Sequence, residues 1–426
     1  MNEGNLFIKN AAQLVTCSGF SAKRGGDMLE LGVIEHGAVV VEKGIIRAVG
    51  PSTDLQEQYE GDDFLVIDAS GKAVLPGFID AHTHFLFAGE RAEEFAWRIE
   101  GLPYMEILAR GGGILSTVKA TRACTKEELF LTGLKRLNRM LSFGVTTLEG
   151  KSGYGLDLET EIRQLSVMRE LEAAQPVEIV RTFLGAHVPP PEYSQRTDRY
   201  INYIAEEVLP IIARESLAQF CDVFCEHNVF SVEQSRRLLS RAKEFGLGVK
   251  LHADEMASLG GAELAAEIGA LSADHLLKAS DGGIERMARA GVIGVLLPGT
   301  AFCLKSEYAR ARFMIDHGMA VALATDFNPG TFFSESISLV CALAVLHMGM
   351  RIEEVVTAIT INAAAAIGRA DRVGSVDIGK QGDLVILEHP SYTYIPYHTG
   401  VSSVESVIKK GRVVFRKTQD HEQPVR

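Results

Sequence analysis

The feature that most constrains this chain is the segment from Val74 to His84, a short apolar run ending in two histidines one residue apart. In a strand, residues i and i+2 share a face. His82 and His84 can therefore turn their imidazoles toward one point, an arrangement that suits a single divalent metal. Val74, Leu75, Phe78 and Ile79 make the run nearly continuous, which marks a strand buried on both faces. A bare His-x-His in a surface loop would mean little. One attached to Pro76-Gly-Phe-Ile-Asp80 at the end of such a strand points to a metal.

The middle of the chain repeats this texture. Apolar strand candidates fall at 74–84, 145–149, 177–187, 222–226, 248–254, 273–277, 292–297 and 321–326. Helical patterns separate them at 126–141, 158–171, 200–214, 232–245, 261–268, 281–288, 307–317 and 333–348. Thr125 with Glu128, and Ser231 with Gln234, have capping-box spacing. Eight such units over about 275 residues predict a (β/α)8 TIM barrel. A doubly wound open sheet is the alternative. It is disfavoured because no Gly-x-Gly-x-x-Gly follows the first strand and polar residues gather at strand ends. Both chain ends read as β, with β-branched clusters between Gly, Ser and Asp turns. This predicts a small β-sandwich domain assembled from both termini, residues 1–75 and 376–426, around a barrel at 76–375.

Composition excludes several classes. Apolar residues make up 46% and charged residues 23%, the balance of an ordinary globular protein. A net charge of −12 disfavours a nucleic-acid surface, and an anionic substrate would need a local cationic pocket. No Lys/Arg run suggests a membrane anchor, and the apolar run 290–304 is broken by Gly294, Pro298 and Gly299. That run reads as a buried strand and its following loop. The six cysteines lack paired spacing, and Cys221 and Cys225 read as buried thiols, so a reducing compartment fits. The opening Met1-Asn-Glu-Gly-Asn-Leu6 lacks signal-peptide character. A cytoplasmic location is expected.

In a TIM barrel the active site is built from the C-terminal ends of the strands. The chain has 12 histidines, and His82, His84, His187, His252 and His275 all fall at predicted strand ends. A catalytic metal needs about three protein ligands and an open position. His82, His84 and His252 offer neutral nitrogens and Asp326 a carboxylate. Water on such an ion is acidified toward neutrality. Glu255 is placed to take its proton and pass it to a leaving nitrogen. His275 can hydrogen-bond the developing oxyanion. His227 reads as a loop residue.

Together, His82-x-His84, His252-x-x-Glu255, His275 and Asp326 resemble the mononuclear branch of the amidohydrolase superfamily. No lysine ends strand four, which disfavours the binuclear, carboxylated-lysine form; Lys151 sits after strand two instead. Longer segments are similar to the imidazolonepropionase family: His82-Thr-His-Phe-Leu-Phe-Ala-Gly-Glu-Arg91, Gly111-Gly-Gly-Ile114, Glu149-Gly-Lys-Ser-Gly-Tyr-Gly-Leu156, Phe183-Leu-Gly-Ala-His187, His252-Ala-Asp-Glu255 and Thr325-Asp-Phe-Asn-Pro-Gly-Thr331. The resemblance spans nearly the whole chain. It implies hydrolysis of 4-imidazolone-5-propanoate to N-formimidoyl-L-glutamate in histidine degradation. The catalytic residues would be Glu255, His275 and Asp326. Substrate contacts are implied at Arg91, Tyr154, His187, Glu255, Asn328, Gly330 and Thr331. Arg91 would take the propionate in a bidentate fork.

Two rival readings remain at this level. One is an aminohydrolase that deaminates a purine, pyrimidine or triazine ring. The other is a catalytically dead barrel, which would have lost metal ligands. Three imidazoles and a carboxylate suit zinc and equally suit ferrous iron. A homodimer is expected as the commonest soluble assembly.

Overall fold

The computed structural model describes residues 4–59 and 63–418. Residues 1–3 of the opening segment, and the ends of the span assigned to the terminal domain, lie outside the described residues. Eight parallel strands build the barrel: Phe78–Thr83, Val145–Lys151, Glu178–Ala186, Phe220–Cys225, Gly248–Ala253, Ser272–His275, Ile293–Leu296 and Val321–Leu323. Each pairs with its neighbour in sequence, and helices fill the crossovers that parallel pairing requires.

The barrel closes at its functional end. The eighth strand is short, so its continuation completes the seam. Asp80 accepts the Thr325 N–H at 2.9 Å and its hydroxyl at 2.6 Å. The Asp326 N–H donates to the His82 carbonyl at 3.0 Å, and the His84 N–H to that of Phe327 at 3.0 Å. Burial pushes the Asp80 carboxyl up to about 7 against these bonds. The seam thus ties His82 and His84 to Asp326 through the backbone.

The apolar run at Val74 serves two sheets, which corrects the single strand expected over 74–84. Ala73–Pro76 pairs antiparallel with Leu384–Leu387 and parallel with Leu6–Val15. The Gly77 N–H bonds the Asp383 carbonyl, and Phe78–Thr83 then enters the barrel. Both halves are fully buried, so hydropathy leaves no mark of the handover.

The second sheet draws on both ends of the chain. Its hydrogen-bonded order is Arg412–Arg416, Val404–Lys409, Leu384–Leu387, Ala73–Pro76, Leu6–Val15, Val33–Glu42 and Ile45–Pro51, with Leu65–Asp68 also on Leu6–Val15. It has its own core, including Leu6, Val41, Val74, Leu384 and Ile408. Lys410 and Gly411, both with positive φ (48° and 71°), turn the last hairpin as a primed turn requires.

Both expected capping boxes form: Thr125 and Ser231 accept the N–H of Glu128 and Gln234, whose side chains reach back. Other helices depart from expectation. The helix over 200–214 is Thr197–Tyr203 and Leu209–Arg214 joined by a π turn at Ile204–Val208, beside Pro210, which has no N–H to give. The one over 307–317 shortens to Ala311–Asp316. The loop expected after the strand in 290–304 is instead a helix, Pro298–Leu304, with proline in its first turn. The helix at 333–348 begins only at Ile337, capped by Ser336. Ala92–Ile99, Tyr104–Ala109 and Ile114–Ala123 form three further helices between the first two barrel strands. All six cysteines are free thiols, with Cys17, Cys221, Cys225 and Cys341 buried. Among the described residues, no helix is long and apolar enough to cross a membrane.

Candidate metal centre and active site

His82, His84 and Asp326 meet at the barrel mouth. His82 Nε2 lies 3.3 Å from His84 Nε2 and 3.4 Å from Asp326 Oδ1, and His84 Nε2 lies 3.5 Å from the same oxygen. The His252 ring stands 4.5 Å from that of His82 and 5.5 Å from that of His84, centroid to centroid. His275 stands 5.2 Å from His252. The structure therefore brings His82, His84 and Asp326 together as one possible ligand group, and His82, His252 and His275 as a second that shares His82.

Carboxylates behind the histidines decide which nitrogens face forward. His82 Nδ1 donates to Asp274 Oδ2 at 2.6 Å, and His252 Nδ1 lies 2.9 Å from Asp222 Oδ2. A proton fixed on Nδ1 leaves Nε2 as a lone pair. The lone pair of His82 then points at another imidazole nitrogen and a carboxylate oxygen, an arrangement that a cation satisfies. Both ring nitrogens of His252 are buried without a well-aligned hydrogen bond, Nδ1 beside the Asp222 carboxylate and Nε2 with no partner. Burial holds His82 and His84 well below the usual histidine range, so both are neutral at pH 7, the form a metal ligand needs. Burial acts the same way on His252, but the Asp222 charge and hydrogen bond outweigh it. One oxygen of Asp326 is held by the Thr300 hydroxyl at 2.7 Å, while the other faces the histidines. Burial raises its carboxyl to about 6. This donor set fits one divalent ion.

Beneath lies a buried charge network in place of the branched aliphatic layers usual in such barrels. Lys151 Nζ lies 2.6 Å from Asp222, 3.0 Å from Glu149 and 3.4 Å from Asp274. Lys250 Nζ lies 2.7 Å from Glu149, which also accepts the Thr182 hydroxyl. Lys151 thus touches both carboxylates that orient metal-facing histidines.

Above the cluster opens a cavity of about 420 Å3. Its walls include Arg91, Tyr154, His187, Glu255, His275, Asn328, Gly330 and Thr331. Glu255 Oε1 stands 3.6 Å from His275 Nδ1. Burial, then the Asp326 charge, pushes the Glu255 carboxyl up to about 8. Burial holds His275 well below the usual range. His275 adopts φ +75° and Asp326 φ +53°, conformations that cost energy outside glycine and cluster at functional sites. Asp254 fixes the connection carrying Glu255 by accepting the N–H groups of Leu259, Gly260, Gly261 and Ala262.

The other walls are held as firmly. Glu161 accepts N–H bonds from Gly153, Gly155 and Leu156, and Gln164 one from Tyr154. Gly153 has φ +104°, and a Cβ there would press on the Leu184 carbonyl and the His187 ring. His187 Nδ1 bonds the Gly153 carbonyl at 3.1 Å, leaving Nε2 as an acceptor; burial pushes its pKa down to about 3. Asn328 binds the Asp326 carbonyl, the Thr331 hydroxyl and the N–H groups of Gly330 and Thr331. Its side chain therefore shapes the loop that presents Gly330 and Thr331. Arg91 forms a bidentate pair with Glu94, whose carboxylate also accepts the Gly113 N–H at 2.7 Å.

Sequence reasoning missed Asp222, Asp274, Thr300 and Glu94. It also missed Arg136, which holds the Phe85 and Phe87 carbonyls at 2.8 and 2.9 Å and so steers the chain from His84 toward Arg91. The aspartates sit inside strands, where period-two alternation would have aimed them into the barrel.

A TIM barrel with His-x-His on its first strand, histidines on the fifth and sixth and an aspartate after the eighth defines a metal-dependent hydrolase class. The Amidohydrolase family matches residues 73–414. The structure resembles an adenosine deaminase from Xanthomonas campestris with bound zinc (TM-score 0.69, 19% identity, covering 96% of this chain and 92% of that one). It also resembles E. coli guanine deaminase (TM-score 0.70, 14% identity, covering 97% and 99%). Much nearer in sequence is the imidazolonepropionase of Clostridium tetani, 59% identical over 98% of this chain and all of that protein. That of Geobacillus kaustophilus is 52% identical over 96% of this chain and 97% of that protein. The chain belongs to the imidazolonepropionase family of amidohydrolases.

Proposed function

We propose that this chain hydrolyses 4-imidazolone-5-propanoate at its cyclic amide C–N bond, giving N-formimidoyl-L-glutamate. The observation that carries the reading is one cavity whose walls include both the metal-fitting His/Asp cluster and two arginines. Relatives 52–59% identical over nearly the whole chain support it.

His82, His84, His252 and Asp326 would hold the ion, zinc or ferrous iron. When bound, such an ion acidifies water and polarises the ring carbonyl. Asp274 and Asp222 keep the His82 and His252 lone pairs forward, and Lys151 balances the charge of both carboxylates. Glu255 takes the proton from the attacking water and delivers it to the ring nitrogen as the C–N bond breaks. A carboxyl raised toward neutrality suits both halves of that transfer. His275 hydrogen-bonds the oxyanion formed from the carbonyl. Tyr154 and His187 hold the ring, and the wall at Arg91, Asn328, Gly330 and Thr331 receives the propionate. The carbonyl carbon becomes the α-carboxylate of the product and the nitrogen stays in the formimidoyl group. A cytoplasmic homodimer is the assembly and location we assign, the location on its free thiols.

The test is incubation of purified, metal-replete protein with imidazolone propanoate and, separately, with guanine. Loss of ring absorbance on the first and no ammonia from the second is expected. Ammonia from guanine with an intact imidazolone would reverse the reading.

A further inference from the structure

The outer wall of the cavity carries a cation beyond the expected clamp. Arg91 is already engaged: Glu94 meets its Nε at 2.8 Å and its Nη2 in a second bond. Its charge is matched inside the wall. Arg98 lies seven residues on, two turns along the same helix and so toward the same side. Among the described residues it forms no ion pair. Its Nη1 donates to the Gly330 carbonyl at 3.0 Å, and its Nε is enclosed without an acceptor. Both arginines line the cavity. Gly330 joins them, since its carbonyl holds Arg98 while a Cβ on it would overlap the Arg91 guanidinium. Arg91, Glu94 and Arg98 together leave one uncompensated positive charge.

We infer that Arg98 binds the substrate carboxylate and sets the preference for a singly charged acidic tail, with Arg91 held by Glu94 as the rigid side of the subsite. This rests on the ring-opening reading above. A guanidinium with unused donors and no carboxylate partner forms a charge-assisted bond with an incoming acid without first breaking an ion pair. Arg91 meets the same acid only through the donors that its Glu94 pair leaves over.

The experiment compares wild type, Arg98→Gln and Arg98→Lys with two stable ligands, 3-(imidazol-4-yl)propanoate and its neutral primary amide, by calorimetry, alongside steady-state kinetics on imidazolone propanoate. Arg98→Gln should weaken the acid about 10-fold or more, the worth of one charge-assisted hydrogen bond. It should leave the amide unchanged and raise KM with little change in kcat. Arg98→Lys should recover part of the loss. Equal weakening of acid and amide would show that Arg98 only supports the Gly330 loop, and unchanged acid binding would also overturn the assignment. In both cases wild-type ring opening would still stand. Absence of wild-type turnover would overturn the assignment together with the reaction it rests on.

Discussion

Two buried lysines meet opposite electrostatic surroundings. In the barrel, burial opposes the charge of Lys151, yet Asp222, Glu149 and Asp274 hold its pKa above the ordinary lysine value. Near the second sheet, Lys380 faces the Gly19 and Val373 carbonyls and the Ser375 hydroxyl, with Asp377 no nearer than 4.0 Å. There burial prevails and the pKa falls to about 8. Buried charge is kept where carboxylates face it. In the barrel two of those carboxylates also orient His82 and His252. The interior charge of the barrel thus serves the metal site, whereas Lys380 ties together chain segments through neutral acceptors.

The sharpest way to separate these roles is Lys151→Met. It leaves buried carboxylates uncompensated, a change that costs about 3–5 kcal/mol in comparable sites. Denaturant unfolding should show that loss, and elemental analysis should show the bound metal gone. Full metal occupancy in this variant would break the link between the lysine and the histidines. Glu255→Gln should act differently, keeping the metal while lowering kcat by about 10²–10⁴-fold. Unchanged kcat would remove Glu255 from proton transfer.

Lys380→Met probes the other surroundings through pH. The folded pKa near 8 lies below the unfolded value of about 10.4. Between them the unfolded chain binds the proton that the folded chain has released, so folding stability rises with pH across that window. Wild type should gain on Lys380→Met by at most about 1.4 kcal/mol per pH unit there. Denaturation midpoints at pH 8 and 10 measure this, and a flat difference would contradict it. Lys151 gives no such gain, because its folded pKa is raised and its contribution is lost only at still higher pH. Smallest of all is the solvent-side counterpart. Arg236 pairs with Glu267 at 2.8 Å and with Glu233, but in water. Arg236→Gln should shift stability by less than about 1 kcal/mol. A larger shift would mean that pairing matters even when exposed.

The same contrast explains what could be read from the residues alone. His82 and His84 end an apolar strand at i and i+2, and strand ends collect the polar residues, so the barrel and its mouth were legible. The capping boxes at Thr125 and Ser231 were legible because they depend on local spacing alone. Asp222 and Asp274 were legible only as inward-facing strand residues, since their role depends on histidines and a lysine contributed by other strands. The split at Gly77 was hidden because both halves are equally apolar. Thr300 was hidden because a short helix starting at Pro298 reads as a loop. The pairing of Arg91 with Glu94 lies on an unforeseen helix, so the availability of Arg98 could not be seen.

The most direct measurement is metal content and ring-opening rate on the same purified sample, before chelation, after chelation and after re-addition of zinc or ferrous iron. One ion per chain, loss of turnover with its removal and recovery on its return are expected. Turnover of imidazolone propanoate that persists at full rate in metal-free protein would contradict the assignment of His82, His84, His252 and Asp326 as the cation's ligands.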